Sequence, residues 1–96
     1  MTAYNVVRMR AKPGFEDKVL ASFKDDTDME NARRFVVIKT GERSFCLMGE
    51  WNSMDDIVAA RPKMIASLDK VRDMLEDLGD GLGVTDPMSG EVVLDM

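Results

Sequence analysis

The sequence predicts an α+β fold in which an antiparallel sheet is covered by two helices on one face. Short segments rich in β-branched and aromatic residues are bounded by turn residues, as strands are, and two other segments repeat apolar residues every three or four positions, as helices do. The chain has 96 residues, of which 45% are apolar, which is enough for one core. We therefore treat residues 1–96 as a single domain.

The N-terminal part of the chain predicts a strand followed by a helix. Tyr4–Ala11 has the composition of a strand and ends at the turn-forming pair Pro13 and Gly14. Apolar residues then recur at every fourth position through Phe15–Phe23, which predicts one apolar helix face.

An acidic segment, Lys24–Ala32, is predicted to form the tail of this helix and a loop after it. Its four carboxylates, Asp25, Asp26, Asp28 and Glu30, superficially resemble a calcium loop, but the glycine and the distal glutamate of such a loop are absent. A solvated acidic loop is therefore favoured over a metal site.

The next segment predicts a hairpin that is apolar on both faces. Strands are expected at Phe35–Thr40 and Ser44–Trp51, joined by a turn at residues 41–43. Because side chains alternate along a strand, neighbours such as Val36 and Val37 point to opposite faces. Each face of the hairpin therefore needs a cover.

A second helix is predicted to begin at Met54 behind a Ser53 cap, because apolar residues recur at spacings of three and four as far as Leu78. Pro62 interrupts this pattern, and since proline removes a backbone hydrogen bond, we expect a kink or two consecutive helices there. Glu91–Met96 is predicted as the last strand.

The predicted order of strand, helix, strand, strand, helix and strand is the β-α-β-β-α-β arrangement of a ferredoxin-like domain. Two helices on one face leave the other apolar face of the hairpin bare. Large apolar patches are uncommon on soluble monomers, so we expect a second copy of the chain to cover this face as a homodimer.

Composition excludes several classes of function. The net charge is −5 and no basic run occurs, which argues against binding to nucleic acid. No apolar run is long enough to span a membrane, and the N-terminus lacks the apolar core of a signal peptide. With one cysteine and no histidine, neither a disulfide nor a zinc or iron–sulfur site is expected. We therefore expect a cytoplasmic protein.

Two junctions in the chain carry a family resemblance. A Pro-Gly-x-Glu-Asp turn at residues 13–17 leads into the first helix, and Glu50-Trp51-Asn52-Ser53 joins the hairpin to the capped second helix. In these features, and in element order over nearly the whole chain, the sequence resembles the antibiotic biosynthesis monooxygenase family. The resemblance implies a dimeric α+β barrel, in which two sheets pack face to face.

The resemblance implies two kinds of activity. Some members of the family are cofactor-free oxygenases of phenolic, polycyclic substrates, and others degrade haem. The haem-degrading members use an asparagine on the first strand, which Asn5 matches, a tryptophan in the second helix and a histidine iron ligand. Trp51 precedes the helix and the chain has no histidine, so haem degradation is excluded.

Four side chains are candidates for a functional site. Asn5 is the candidate catalytic residue, because its amide could hold a substrate oxygen. Arg8 and Arg61 could bind an acidic or phenolate substrate, and Trp51 could stack on an aromatic one. Structural interpretations remain open: a polar residue at a strand end for Asn5, ion-paired or exposed arginines, and a core residue for Trp51.

Two classes of function remain. The first is a cofactor-independent monooxygenase that acts on a small electron-rich aromatic or quinol-type compound, without metal or cofactor. The second is a non-catalytic dimeric module that binds a small molecule or only assembles. The reaction class of the first comes from the resemblance, and the residues themselves are only compatible with it.

Overall fold

The computed structural model describes residues 1–25 and 31–96 of the chain. Three of the four carboxylates of the segment that superficially resembles a calcium loop lie outside the described residues: Asp26, Asp28 and Glu30. The elements are β1 (Ala3–Arg10), α1 (Glu16–Asp25), β2 (Ala32–Lys39), β3 (Ser44–Trp51), α2 (Met54–Asp69), a 3-10 turn (Arg72–Met74) and β4 (Thr85–Glu91).

The strands form one antiparallel sheet in the order β2-β3-β1-β4. Both helices pack on the same side of it. Val19 of α1 belongs to a buried cluster with Met9 and Phe45 of the sheet. Ile57 of α2 is buried in a second cluster with Trp51 and Ala3. The predicted ferredoxin-like α+β fold is therefore confirmed.

Two local predictions around the hairpin are confirmed. β3 covers Ser44–Trp51 as predicted. The Ser53 Oγ accepts a hydrogen bond of 3.2 Å from the Asp56 amide, which caps α2. β2 begins earlier than expected, at Ala32, because a bulge at Arg33 lets the strand continue pairing as far as Trp51.

The predicted position of the last strand is wrong. β4 is Thr85–Glu91, and not Glu91–Met96. The sequence pattern indicated a turn in this segment, because Pro87 is a turn-forming residue. Among the described strands, β4 pairs with β1 alone and lies at the edge of the sheet, where proline is tolerated. Val93 and the residues after it lie beyond the strand.

Of the two outcomes expected at Pro62, the division into two consecutive helices is wrong. α2 is one helix that continues through Pro62 and ends at Asp69, well before Leu78. Ile57 before the proline and Leu68 after it both pack into the core, and this packing offsets the lost backbone hydrogen bond. Within the described residues, no helix is long and apolar enough to cross a membrane.

Ile57 and its neighbour Val58 give a matched test of this packing. Ile57 is 1% exposed beneath α2, whereas Val58 is 51% exposed. Ile57→Ala should lower the free energy of unfolding by about 2–5 kcal/mol, because it leaves a cavity in the core. Val58→Ala should change it by less than about 0.5 kcal/mol. Urea denaturation followed by circular dichroism measures both, and equal losses would contradict the placement of α2.

Candidate functional site

A cleft of about 880 Å³ lies between the helices and the sheet. It separates the two buried clusters of the core. Val7 and Leu47, which border one cluster, line it together with Phe35 and Met64, which border the other. An apolar cleft of this size is typical of small-molecule sites.

Asn5 is the polar group at the base of the cleft. It is 4% exposed and is the one buried polar side chain among the described residues. The Trp51 Nε1 donates a hydrogen bond of 2.7 Å to the Asn5 Oδ1. The Asn5 Nδ2 donates to the Met64 Sδ at 3.6 Å. Both ends of the buried amide therefore have partners, as burial requires.

The Trp51 indole fixes which way the Asn5 amide faces. An indole N–H can only donate, so the amide oxygen must face Trp51 and the NH₂ group must face Met64. A thioether sulfur is a weak acceptor. A phenolate or carbonyl oxygen entering the cleft is a stronger acceptor and can take its place. The site therefore presents an N–H donor to an incoming oxygen.

Gly49 makes room for this arrangement. It lies opposite Asn5 on β1 and opposite Phe35 on β2. A Cβ at Gly49 would stand 2.3 Å from the Asn5 Oδ1 and 2.6 Å from a Phe35 ring carbon. The Phe35 ring in turn meets Trp51 edge to face, at 5.5 Å between centroids. A lone glycine inside a strand often marks such a close approach, so Gly49 itself is a sequence signal for this packing.

The structure brings two of the four sequence-predicted residues to the cleft. Asn5 and Arg61 both line it. Arg61 reaches the cleft from α2, which continues through Pro62, so a break in the helix at Pro62 is not needed to bring Arg61 there. Trp51 is 0% exposed and lies behind Asn5, where it orients the amide. Phe35 is the aromatic residue that lines the cleft instead.

Arg8 is not brought together with the other three. It follows Asn5 by three positions on β1, so it lies on the opposite face of the sheet. There its Nη2 donates a hydrogen bond of 3.0 Å to the Asp86 Oδ2. The structure therefore separates Arg8 from the cleft.

Groups able to take up or release a proton are scarce at this site. Of the described residues that line the cleft, none is Asp, Glu, Tyr or Cys. Tyr4 lies on the other face, and the hydrogen bond between its hydroxyl and the Glu50 carboxylate raises the pKa of Tyr4. Within the described residues, no three His, Cys, Asp or Glu side chains form a group that could hold a metal ion.

Lys24 was missed as a cleft residue, and Met64 was interpreted as a core residue. Lys24 ends α1 and lines the cleft, but its position depends on how α1 packs, which no local pattern gives. Met64 has the spacing of a core residue, and only the structure places its sulfur against Asn5.

Several solved structures share this fold over nearly the whole chain. A candidate antibiotic biosynthesis monooxygenase from Chloroflexus aurantiacus has a TM-score of 0.75 and 16% identity, covering 100% of this chain and 97% of that one. A variant of SnoaB, a cofactor-independent oxygenase from Streptomyces nogalater, has a TM-score of 0.76 and 11% identity, covering 99% and 96%. A Nitrosomonas europaea protein of unknown function has a TM-score of 0.74 and 15% identity, covering 99% and 92%.

Neither a protein-family model nor a curated protein matches the sequence. At 11–16% identity, the likeness to these structures shows a shared fold. The resemblance inferred from the two sequence junctions is thus confirmed for the architecture.

Gly49→Ala tests the packing behind Asn5. The added methyl group must displace Asn5, Phe35 or Trp51, so the free energy of unfolding should fall by about 1–3 kcal/mol. The fluorescence of Trp51 should change as well, because its contacts move. Gly90→Ala is the matched control in β4, where a Cβ meets nothing within 4 Å. Unchanged fluorescence and stability in Gly49→Ala would contradict the described arrangement.

Proposed function

We propose that the chain is a cofactor-independent monooxygenase that oxidises a small electron-rich aromatic or quinol-type compound in this cleft. The observation that carries the proposal is the Asn5 amide, held by Trp51 with its N–H end toward a largely apolar cleft. The fold shared with SnoaB, described as a cofactor-independent oxygenase, supports the reaction class.

The Asn5 amide would act on the ionised form of the substrate. A phenol-type oxygen that accepts a hydrogen bond from Nδ2 gains most when it carries negative charge, since charge-assisted hydrogen bonds are the stronger ones. The bond therefore lowers the pKa of the bound substrate. Arg61 adds positive charge at the same cleft. Both groups favour the electron-rich anion.

This anion would reduce dioxygen without help from a protein cofactor. For a substrate with an activated ring methylene, one oxygen atom becomes a new carbonyl and the other leaves as water, which takes one hydrogen from the methylene and one proton back from solvent. The described lining offers no carboxylate or tyrosine as a base, so the first proton passes to solvent. Substrates must therefore be acidic enough to ionise with only the help of Asn5 and the nearby positive charge.

The scarcity of bases also favours a second candidate function. A cleft without Asp, Glu, Tyr or Cys among its described residues can bind a ligand and leave it unchanged. Such a binding module would use the same Asn5 donor for recognition alone. The two candidates differ in whether oxygen is consumed.

We further propose that the opposite face of the sheet pairs with a second copy of the chain. Strand register places Val36, Met48, Val6 and Met88 in one apolar row across all four strands. Met88 is 63% exposed in this row. In a dimer with two-fold symmetry, an apolar row of this kind can be covered by the same row of the partner.

Charged side chains beside this row already have partners within the chain. Arg8 pairs with Asp86 at 3.0 Å, and Arg33 pairs with Glu50 at 3.5 Å. Paired charges at the border of an interface avoid the large penalty of burying a lone ion. The face is therefore suited to self-association.

Oxygen uptake tests the proposed reaction. A panel of anthrones and dihydroquinones should be oxidised faster with the protein than in buffer. Asn5→Ala should lower kcat by roughly 10²–10³, the usual effect of removing one oxyanion donor. Asn52→Ala, at an exposed position after β3, is the matched control. Uptake no faster than in buffer would favour the binding module, and an unchanged rate in Asn5→Ala would contradict the role of the amide.

Light scattering tests the proposed dimer. The wild-type chain should be a dimer at micromolar concentration, and Val36→Asp should shift it to a monomer with little loss of helical signal, because Val36 faces away from the helices. Ala59→Asp adds the same charge at an exposed position on α2 and should leave the dimer intact. A monomeric wild-type protein would contradict the proposal.

A further inference from the structure

We propose that the ligand of the cleft carries a carboxylate in addition to its electron-rich aromatic ring. This inference rests on the proposed function and names the class of substrate. Of the described residues that line the cleft, Lys24, Arg34 and Arg61 are the ionisable ones, and all three are cationic.

This charge pattern runs against the composition of the chain. The sequence has 18 acidic and 13 basic residues, and a net charge of −5. A cleft surrounded by side chains drawn at random from this composition would contain more acids than bases. A cleft whose described ionisable residues are all cationic raises the local concentration of anionic ligands and repels cationic ones.

The arginines of the cleft differ from the other arginines of the chain in their ion pairing. Five arginines form ion pairs with carboxylates of the chain: Arg8, Arg10, Arg33, Arg43 and Arg72. The other two, Arg34 and Arg61, line the cleft. Neither has an ion pair with a described residue. Among the described residues, the arginines without an ion pair are therefore the two that line the cleft.

The positions of the polar groups define the shape of the ligand. Lys24 on α1 and Arg61 on α2 are exposed, so their charged ends lie at the mouth of the cleft. Asn5 lies at the base and is almost fully buried. A fitting molecule has an oxygen at one end for Asn5, an aromatic body against Val7 and Phe35, and a carboxylate at the other end.

A pair of redox-inert probes tests the carboxylate. 2-Naphthoate and 2-naphthamide share a ring system and differ in charge. In isothermal titration, the wild-type protein should bind naphthoate at least about tenfold more tightly than naphthamide, since charge-assisted hydrogen bonds are roughly twice as strong as neutral ones. The preference should shrink in about 1 M salt, where charges are screened beyond roughly 3 Å.

Substitutions at the mouth of the cleft locate the effect. The double variant Lys24→Gln and Arg61→Gln should reduce the preference for naphthoate to about twofold or less, while naphthamide binding stays the same. Lys39→Gln, at the exposed end of β2 outside the cleft, should keep the preference. Equal or tighter binding of naphthamide by the wild type, or an unchanged preference in the double variant, would overturn the proposal. Circular dichroism confirms that each variant is folded.

This test does not depend on turnover, because neither probe is oxidised. If the protein prefers naphthoate but has no oxygenase activity, the proposed carboxylate of the ligand is supported and the proposed oxygenase reaction is contradicted. If the protein oxidises substrates that lack a carboxylate and shows no preference for naphthoate, the oxygenase reaction is supported and the carboxylate is contradicted.

Discussion

The hydrogen bond from Trp51 to Asn5 sets the chemistry of the cleft, because it decides that the amide presents N–H groups and not its oxygen. Trp51 stands diagonally across from Asn5 on the neighbouring strand, in the register that pairs Ala3 with Trp51 and Asn5 with Gly49. Without that donor, the buried amide could rotate and offer its carbonyl oxygen to the ligand. An acceptor at the base of the cleft would repel an anionic ligand of the kind we propose.

This one contact depends on a larger set of packing constraints. Gly49 leaves the space that the Asn5 amide and the Phe35 ring fill. α2 covers the tryptophan through Ile57 and supplies Met64 as a weak acceptor that a ligand can displace. The core is therefore divided into two clusters with a cleft between them, and the polar group is positioned where they meet.

The sequence predicted the fold well because its signals are local and periodic. The hairpin, both helix starts and the one-sided covering of the sheet follow from apolar spacing and capping. Two errors came from proline. Pro87 made an edge strand look like a turn, and Pro62 suggested a break that tertiary packing prevents. In both cases the contact that overrides local preference is made by residues distant in sequence.

The site could be predicted only in part. Asn5 and Arg61 were identified by chemical type, and both line the cleft. Arg8 was chosen for the same reason, but strand alternation puts it on the far face of the sheet. The roles of Trp51 and Lys24 required knowledge of which side chains meet across strands and helices. Sequence periodicity shows which face of a helix or strand is apolar. The site depends on which of these faces enclose the cleft, and that follows only from the tertiary structure.

A single NMR titration tests the central claim, that the Asn5 amide binds the oxygen of an aromatic ligand. The side-chain Nδ2 signals of Asn5 and the methyl signal of Met64 are followed as 2-naphthol is added. Both signals should shift together in saturable fashion, while the methyl signal of Met48, on the opposite face, stays in place. A saturable shift of Met48 without any change at Asn5 would place the ligand on the other face and contradict the account.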